Sequence, residues 1–208
     1  MKKFTKQEIL SLVVIFLVLI LVSFPNFKLS LRRARDQVRR DDIGNIQGAI
    51  DAYYNDYGIY PASTEDGKMV ICTAPNTTPT TDAKGNPVLN LIPCNWSKDR
   101  WVSVTPGVSK VYMSIFPGDP HFNQGVSYVY FSDGSRYQLF GSLESADEAG
   151  YDAKLEARGV KCGAEVCNIG RAHNVPMYIT IEEYNLEVHC TAYPKDLKCL
   201  NRHPANEK

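Results

Sequence analysis

The stretch Phe4-Thr-Lys-Gln-Glu8-Ile-Leu-Ser-Leu-Val-Val-Ile-Phe-Leu-Val-Leu-Ile-Leu-Val-Ser-Phe-Pro25 decides how the rest of this chain is read. Between Ile9 and Phe24 the only polar residues are Ser11 and Ser23. As a helix these 16 residues span roughly 24 Å. A bilayer core of about 30 Å asks for about 20 residues. Residues 5–8 at one interface and 25–27 at the other make up the difference. The competing reading is a cleaved signal peptide, with Lys2, Lys3 and Lys6 as its basic region and residues 9–22 as its apolar region. No small-residue cleavage site follows, since the chain continues Ser23-Phe-Pro-Asn-Phe-Lys28, so a retained anchor is expected.

Orientation rests on two opposed signals. Lys28, Arg32, Arg33, Arg35, Arg39 and Arg40 follow the apolar run and, by the positive-inside rule, place that side in the cytoplasm. Six cysteines on the same side point to export into an oxidising compartment. Export is the reading adopted: a single pass through the inner (cytoplasmic) membrane, N-terminus inside, globular part extracytoplasmic. The basic band is then expected to meet anionic lipid headgroups.

The helical period continues beyond the membrane. Leu31, Ala34 and Val38 form one stripe, and Ile43, Ile46, Ile50, Tyr53 and Tyr57 another, with arginines and aspartates opposite. Pro25 is expected to kink the helix, because a mid-helix proline loses a hydrogen bond and bends the axis. Gly58 in a C-cap position and Pro61 beyond it stop the helix. Residues 1–57 thus read as one rod, transmembrane over 9–24, kinked at 25 and amphipathic over 28–57. The last stripe is expected to bury against the chain's own sheet.

Three segments share a resemblance. The first is residues 4–25 as quoted. The second is Arg35-Asp-Gln-Val-Arg-Arg-Asp-Asp-Ile-Gly-Asn-Ile-Gln-Gly-Ala-Ile-Asp-Ala-Tyr-Tyr-Asn-Asp-Tyr-Gly-Ile-Tyr-Pro61. The third is Pro117-Gly-Asp-Pro120, followed by Tyr128-Val-Tyr130, Tyr137-Gln-Leu139 and Leu143-Glu144. Together these resemble type IV pilin-like proteins, and the major pseudopilin of type II secretion systems in particular. The match covers residues 4–61 closely and 110–167 loosely, leaving 62–109 and 168–208 without a counterpart.

The resemblance implies a structural subunit that assembles with other pilin-like subunits through its N-terminal helix, with Phe4, Glu8 and Pro25 as assembly residues. It implies cleavage by a prepilin peptidase between Lys3 and Phe4, and an assembly platform as a further partner. Glu8 would then pair with the N-terminal amine of a neighbouring subunit. A carboxylate in a lipid-facing bundle is costly unless so paired. The family carries glycine where this chain has Lys3, and apolar residues where it has Lys6 and Gln7. Those three residues favour the alternative, a non-polymerising membrane-anchored extracellular binding module.

The remainder, 58–208, reads as one exported globular domain. Residues 1–27 carry a net charge of +2 and residues 28–42 a net of +3, so 43–208 must carry −5 for the total of zero. An acidic head disfavours nucleic acid as a partner. Val126–Phe131 and Arg136–Phe140 read as a hairpin about Asp133-Gly134, with a two-residue turn. Further strands are expected at residues 100–105, 111–116 and 175–184, and a loop with a short helix over 144–157. Cys72, Cys94, Cys162, Cys167, Cys190 and Cys199 read as disulfides; six cysteines allow 15 connectivities, of which sequence-local pairing is the simplest. The rival is zinc, with His173, His189 or His203 assisting, but no C-x2-C pair is present. The sequons at Asn76 and Asn95 matter only in a eukaryotic secretory route.

No nucleophile, P-loop or metalloprotease motif appears, and no cofactor or catalytic residue is expected. His189 beside Cys190 is a poor catalytic pair if the two lie on a strand, where neighbours face opposite ways. The expected class is therefore α+β: a long N-terminal helix packed on a small antiparallel sheet, pilin-like, with disulfide-stapled loops.

Overall fold

The computed structural model describes residues 5–73, 80–81, 87–88, 90–103, 105, 108–194 and 196–200. Lys3 and Phe4, the sequon at Asn76 and His203 lie outside the described residues.

One helix, α1, runs from Lys6 to Tyr57, a length of 52 residues. Its start is a capping box: the Thr5 hydroxyl accepts from the Glu8 backbone N–H, and the Thr5 backbone N–H donates to the Glu8 carboxylate at 2.7 Å. Each group satisfies an amide that the first helical turn leaves unpaired. The end is Gly58, in the left-handed region at φ 72°, whose N–H reaches the Tyr54 carbonyl at 2.7 Å. The helix is continuous through position 25, so the proline is accommodated rather than terminating it.

The head follows in small antiparallel pieces: β1 (Ala62–Ser63), β2 (Met69–Thr73), β3 (Thr80–Thr81), β4 (Pro87–Val88), β5 (Leu91–Pro93), β6 (Trp101–Val102), β7 (Val111–Met113), β8 (Val129–Ser132) and β9 (Tyr137–Gly141). Then come α2 (Ala153–Arg158), β10 (Lys161–Cys162), β11 (Glu165–Val166), β12 (Ile169–His173), α3 (Ile181–Ala192) and α4 (Leu197–Leu200). Among the described residues there are two three-stranded sheets, ordered β1-β2-β5 and β12-β9-β8, and the separate pairs β3-β4, β6-β7 and β10-β11. The chain is α+β, as expected.

The stripe at Ile43, Ile46, Ile50 and Tyr53 forms the core, each residue no more than 5% exposed. It meets Trp101, Phe116, Tyr128, Tyr130, Tyr137 and Leu139, all buried. Aromatic rings dominate the contact: Tyr53 lies 5.5 Å from Trp101, which stacks on Phe116 at 5.9 Å. Large rings bury much apolar area for few rotatable bonds, which suits a head built of such short strands.

The hairpin β8–β9 forms as expected, but its loop is four residues, Asp133–Arg136, rather than two. The Asp133 carboxylate accepts from the backbone amides of Ser135 and Arg136 at 2.9 and 2.8 Å, and Gly134 takes φ 86°. These bonds stabilise the longer loop. The strand expected at 111–116 is shorter and pairs with Trp101, not with the hairpin; the hairpin's third strand is β12.

The strand expected over 175–184 is a turn leading into α3. Thr180 caps that helix: its hydroxyl accepts from the Glu183 N–H at 3.0 Å, and its own N–H donates to the Glu183 carboxylate at 2.8 Å. This reciprocal cap outweighs the β-branched composition of Ile179-Thr180-Ile181. His189 and Cys190 therefore sit on a helix, and Cys190 has no free thiol.

All six cysteines are bridged in the sequence-local manner: Cys72–Cys94, Cys162–Cys167 and Cys190–Cys199. Cys72, in β2, and Cys94, just past β5, are both buried in the core, and Cys190 clips α3 to α4.

Candidate functional site

Two regions carry the features that bear on function: the bare half of α1, and an ionic clasp where α1 enters the head.

From Ile9 to Leu21 every large apolar side chain of the first half is exposed, from 46% at Ile20 to 73% at Leu21. This segment is long and apolar enough to cross a membrane, and none of it is buried within the chain. Phe24 and Phe27 continue the exposure at 57% and 61%, and the Lys28 ammonium sits 4.8 Å over the Phe24 ring. Aromatic rings with a lysine reaching along them are the usual furniture of a membrane interface.

The stripe Leu31, Ala34, Val38 is not part of the core. It remains exposed, Leu31 at 44% and Val38 at 46%, and the charged face turns toward the head instead. Arg39 is 1% exposed. Its Nε and Nη2 donate to both carboxylate oxygens of Asp119, at 2.7 and 3.0 Å. Its Nη1 donates to Asp36 at 2.7 Å and to Glu144 at 2.9 Å. Arg35 grips Glu144 with two bonds of 2.6 Å, and Arg40 and Arg32 reach Glu148 and Asp147 at 3.2 and 3.3 Å.

The planar guanidinium suits such paired contacts, and burial strengthens them by excluding water. The arginines expected at lipid headgroups are thus also paired with acids of the head. Once folded, this band presents much less free positive charge than the sequence implies.

Burial opposes charge on Arg39, yet the Asp119 and Asp36 carboxylates more than offset it and hold its pKa above the ordinary value. The Arg35 hydrogen bonds draw Glu144 down from 4.5 to about 2. Asp42, half-buried beneath the Tyr128 hydroxyl at 2.8 Å, is shifted upward by burial. A depressed carboxylate gives stability that is complete above its unfolded value and is lost as pH falls through its folded value. The Glu144 contribution is accordingly expected to disappear between pH 4.5 and 2, with the raised Asp42 offsetting part of the loss. Urea unfolding at pH 6, 4 and 3 checks this: the fall in stability should be flatter in Glu144→Gln than in the unaltered chain.

Of the residues singled out from the sequence, the described ones do not converge on one site. Glu8 caps its own helix, Pro25 lies within it, and the cysteines are in bridges. His121 sits at the clasp, with Nδ1 3.5 Å from Arg39; His173 lies against the rings of Tyr60 and Tyr137; His189 bonds Asp196 at 2.8 Å. Among the described residues no group of three or more His, Cys, Asp or Glu side chains is placed to hold a metal ion. Sequence reasoning missed Arg39, Asp119 and Glu144 as a unit. The available signal was the density of arginines in a helix whose partner domain is acidic. Compared with protein-family models, with curated proteins and with solved structures, the chain matches none.

Proposed function

We propose that the chain is a structural subunit of a type II secretion pseudopilus or a type IV pilus-like filament, anchored in the membrane before assembly and joined to its neighbours through α1. The observation that supports this most is the exposed stripe Phe27, Leu31, Ala34 and Val38. It extends the bare apolar surface for three turns past the interfacial lysine, on the side of α1 away from the head. A solitary anchored protein leaves this stripe in water at a cost proportional to its area. A second copy of the same helix covers it. Catalysis belongs, in this reading, to the peptidase and the assembly machinery, not to this chain.

Cross-linking through Val38→Cys in native membranes tests the reading. A heterobifunctional maleimide–succinimidyl ester reagent, which joins the one free thiol of each subunit to a lysine of the next, is expected to give a ladder of multimers that collapses when Leu31 is also changed to Asp. Monomer alone, at full expression, overturns it. The mature N-terminus adds a second check: a chain beginning at Phe4 supports pilin processing.

The capping box favours a second reading, the non-polymerising anchored module, because the Glu8 carboxylate already has partners within its own chain. Glu8→Gln separates the two. Glutamine still serves in a capping box but does not neutralise an ammonium group. In the filament reading this substitution abolishes multimers while leaving helix content and membrane level unchanged. In the anchored-module reading it changes nothing measurable.

A further inference from the structure

A cleft of about 540 Å³ opens where the two extensions that lack a counterpart in the resemblance meet the central hairpin. Ser63 and Thr64 form one wall, Phe131 and Ser132 the second, and Ile181 at the start of α3 the third. Arg158, from the last turn of α2, and the fully buried Gln138 lie among them.

Arg158 is the exception among the arginines. Each of the other buried or half-buried ones, Arg32, Arg35, Arg39, Arg40 and Arg136, has a carboxylate at 3.6 Å or closer. Arg158 is half-buried and its hydrogen bonds go only to neutral groups, with Glu183 acting on it from outside hydrogen-bond range. Its Nη1 donates to Gln138 Oε1 at 3.1 Å and to the Met177 carbonyl at 2.7 Å, and its guanidinium lies 5.4 Å from the Phe140 ring centre. Gln138 is itself fixed, donating to the carbonyls of Pro176 and Ile179. The guanidinium is therefore oriented, while its Nε and Nη2 have no acceptor among the described residues. Burial draws its pKa downward, and the nearby Glu183 carboxylate offsets only part of that.

We infer that this cleft binds a monocarboxylate with a small apolar body, its carboxylate on Arg158 and its body against Phe131 and Ile181. One guanidinium balances one negative charge. A dianion such as phosphate is disfavoured by Glu65 and Glu182, which also line the cleft. Asp133, the third acid there, is already engaged by Arg136 at 3.6 Å and Asn185 at 2.9 Å. The site does not depend on whether the chain polymerises.

The test uses the full chain in nonionic detergent micelles, titrated with N-acetyl-L-phenylalanine and, as control, its amide. In amide-proton spectra the acid is expected to shift resonances of Phe131, Val160 and Ile181 at millimolar concentration. The amide and inorganic phosphate should not. Arg158→Gln should weaken binding by about tenfold or more, the effect typical of a lost charge-assisted hydrogen bond. Should that variant fold poorly, Val160→Trp keeps the arginine while filling the cleft and should abolish the shifts. Equal response to acid and amide, no response at 20 mM on the order expected for weak ligands, or binding retained in both variants overturns the assignment.

Discussion

Arg39→Met is expected to destabilise the head by about 3–5 kcal/mol, the range for removing one partner of a buried ion pair. Asp36 and Asp119 are both buried, and without the guanidinium they face each other and Glu144 uncompensated. One oxygen of Asp36 already has no partner among the described residues, and the other would keep only the Glu144 backbone N–H at 3.0 Å. For a chain of this size the loss corresponds to a fall of roughly 6–20 °C in melting temperature. Arg39→Lys should be only partly tolerated, since an ammonium group cannot make the paired contact with Asp119. Adding Asp119→Asn to Arg39→Met should recover part of the loss, because it removes the stranded charge. Thermal unfolding of the three variants in one detergent decides the matter, and a fall of less than 1 °C for Arg39→Met, on the order of a surface change, would show the clasp to be ornamental.

Leu17→Asp is expected to have the other large effect, on membrane partition rather than on folding. Leu17 lies near the middle of the apolar run and is 52% exposed. Exchanging leucine for aspartate at a helix centre costs about 3–4 kcal/mol of insertion free energy. A run already short for the bilayer has little surplus to offset that. The variant should therefore leave the membrane pellet on carbonate extraction, while Leu17→Met remains in it. The head of the detergent-solubilised variant should melt where the parent does, because among the described residues this part of α1 is exposed and not packed on the head. A variant that stays membrane-bound would mean that something other than the apolar run holds the chain there.

The sequence made the period of α1 and its Gly58 end legible, because both are local signals; the Thr5-x-x-Glu8 cap, equally local, went unread. The hairpin at Asp133-Gly134 was legible for the same reason. What failed was non-local. Arg39 finds Asp119 80 positions away and Glu144 105 positions away, and no spacing rule announces such partners. A charged helix face is ordinarily a solvated face, so nothing local announced that the arginines over 28–40 face the acidic 144–148 loop. The expected strand at 175–184 failed for a different reason: composition outweighed the Thr180-x-x-Glu183 cap in the reading, whereas the cap governs the backbone. The Arg158 cleft needs three segments far apart in sequence, and no local pattern anticipated it.

The three disulfides enclose separations of 22, 5 and 9 positions, and no bridge overlaps another. Of the fifteen pairings open to six cysteines, this is the one produced when each thiol joins the next to leave the translocation channel. In the proposed topology, with the N-terminus inside, the head would thread outward from its α1 end and need no later exchange of partners. Its covalent map would be completed in order of arrival, with an oxidant sufficient and an isomerase dispensable.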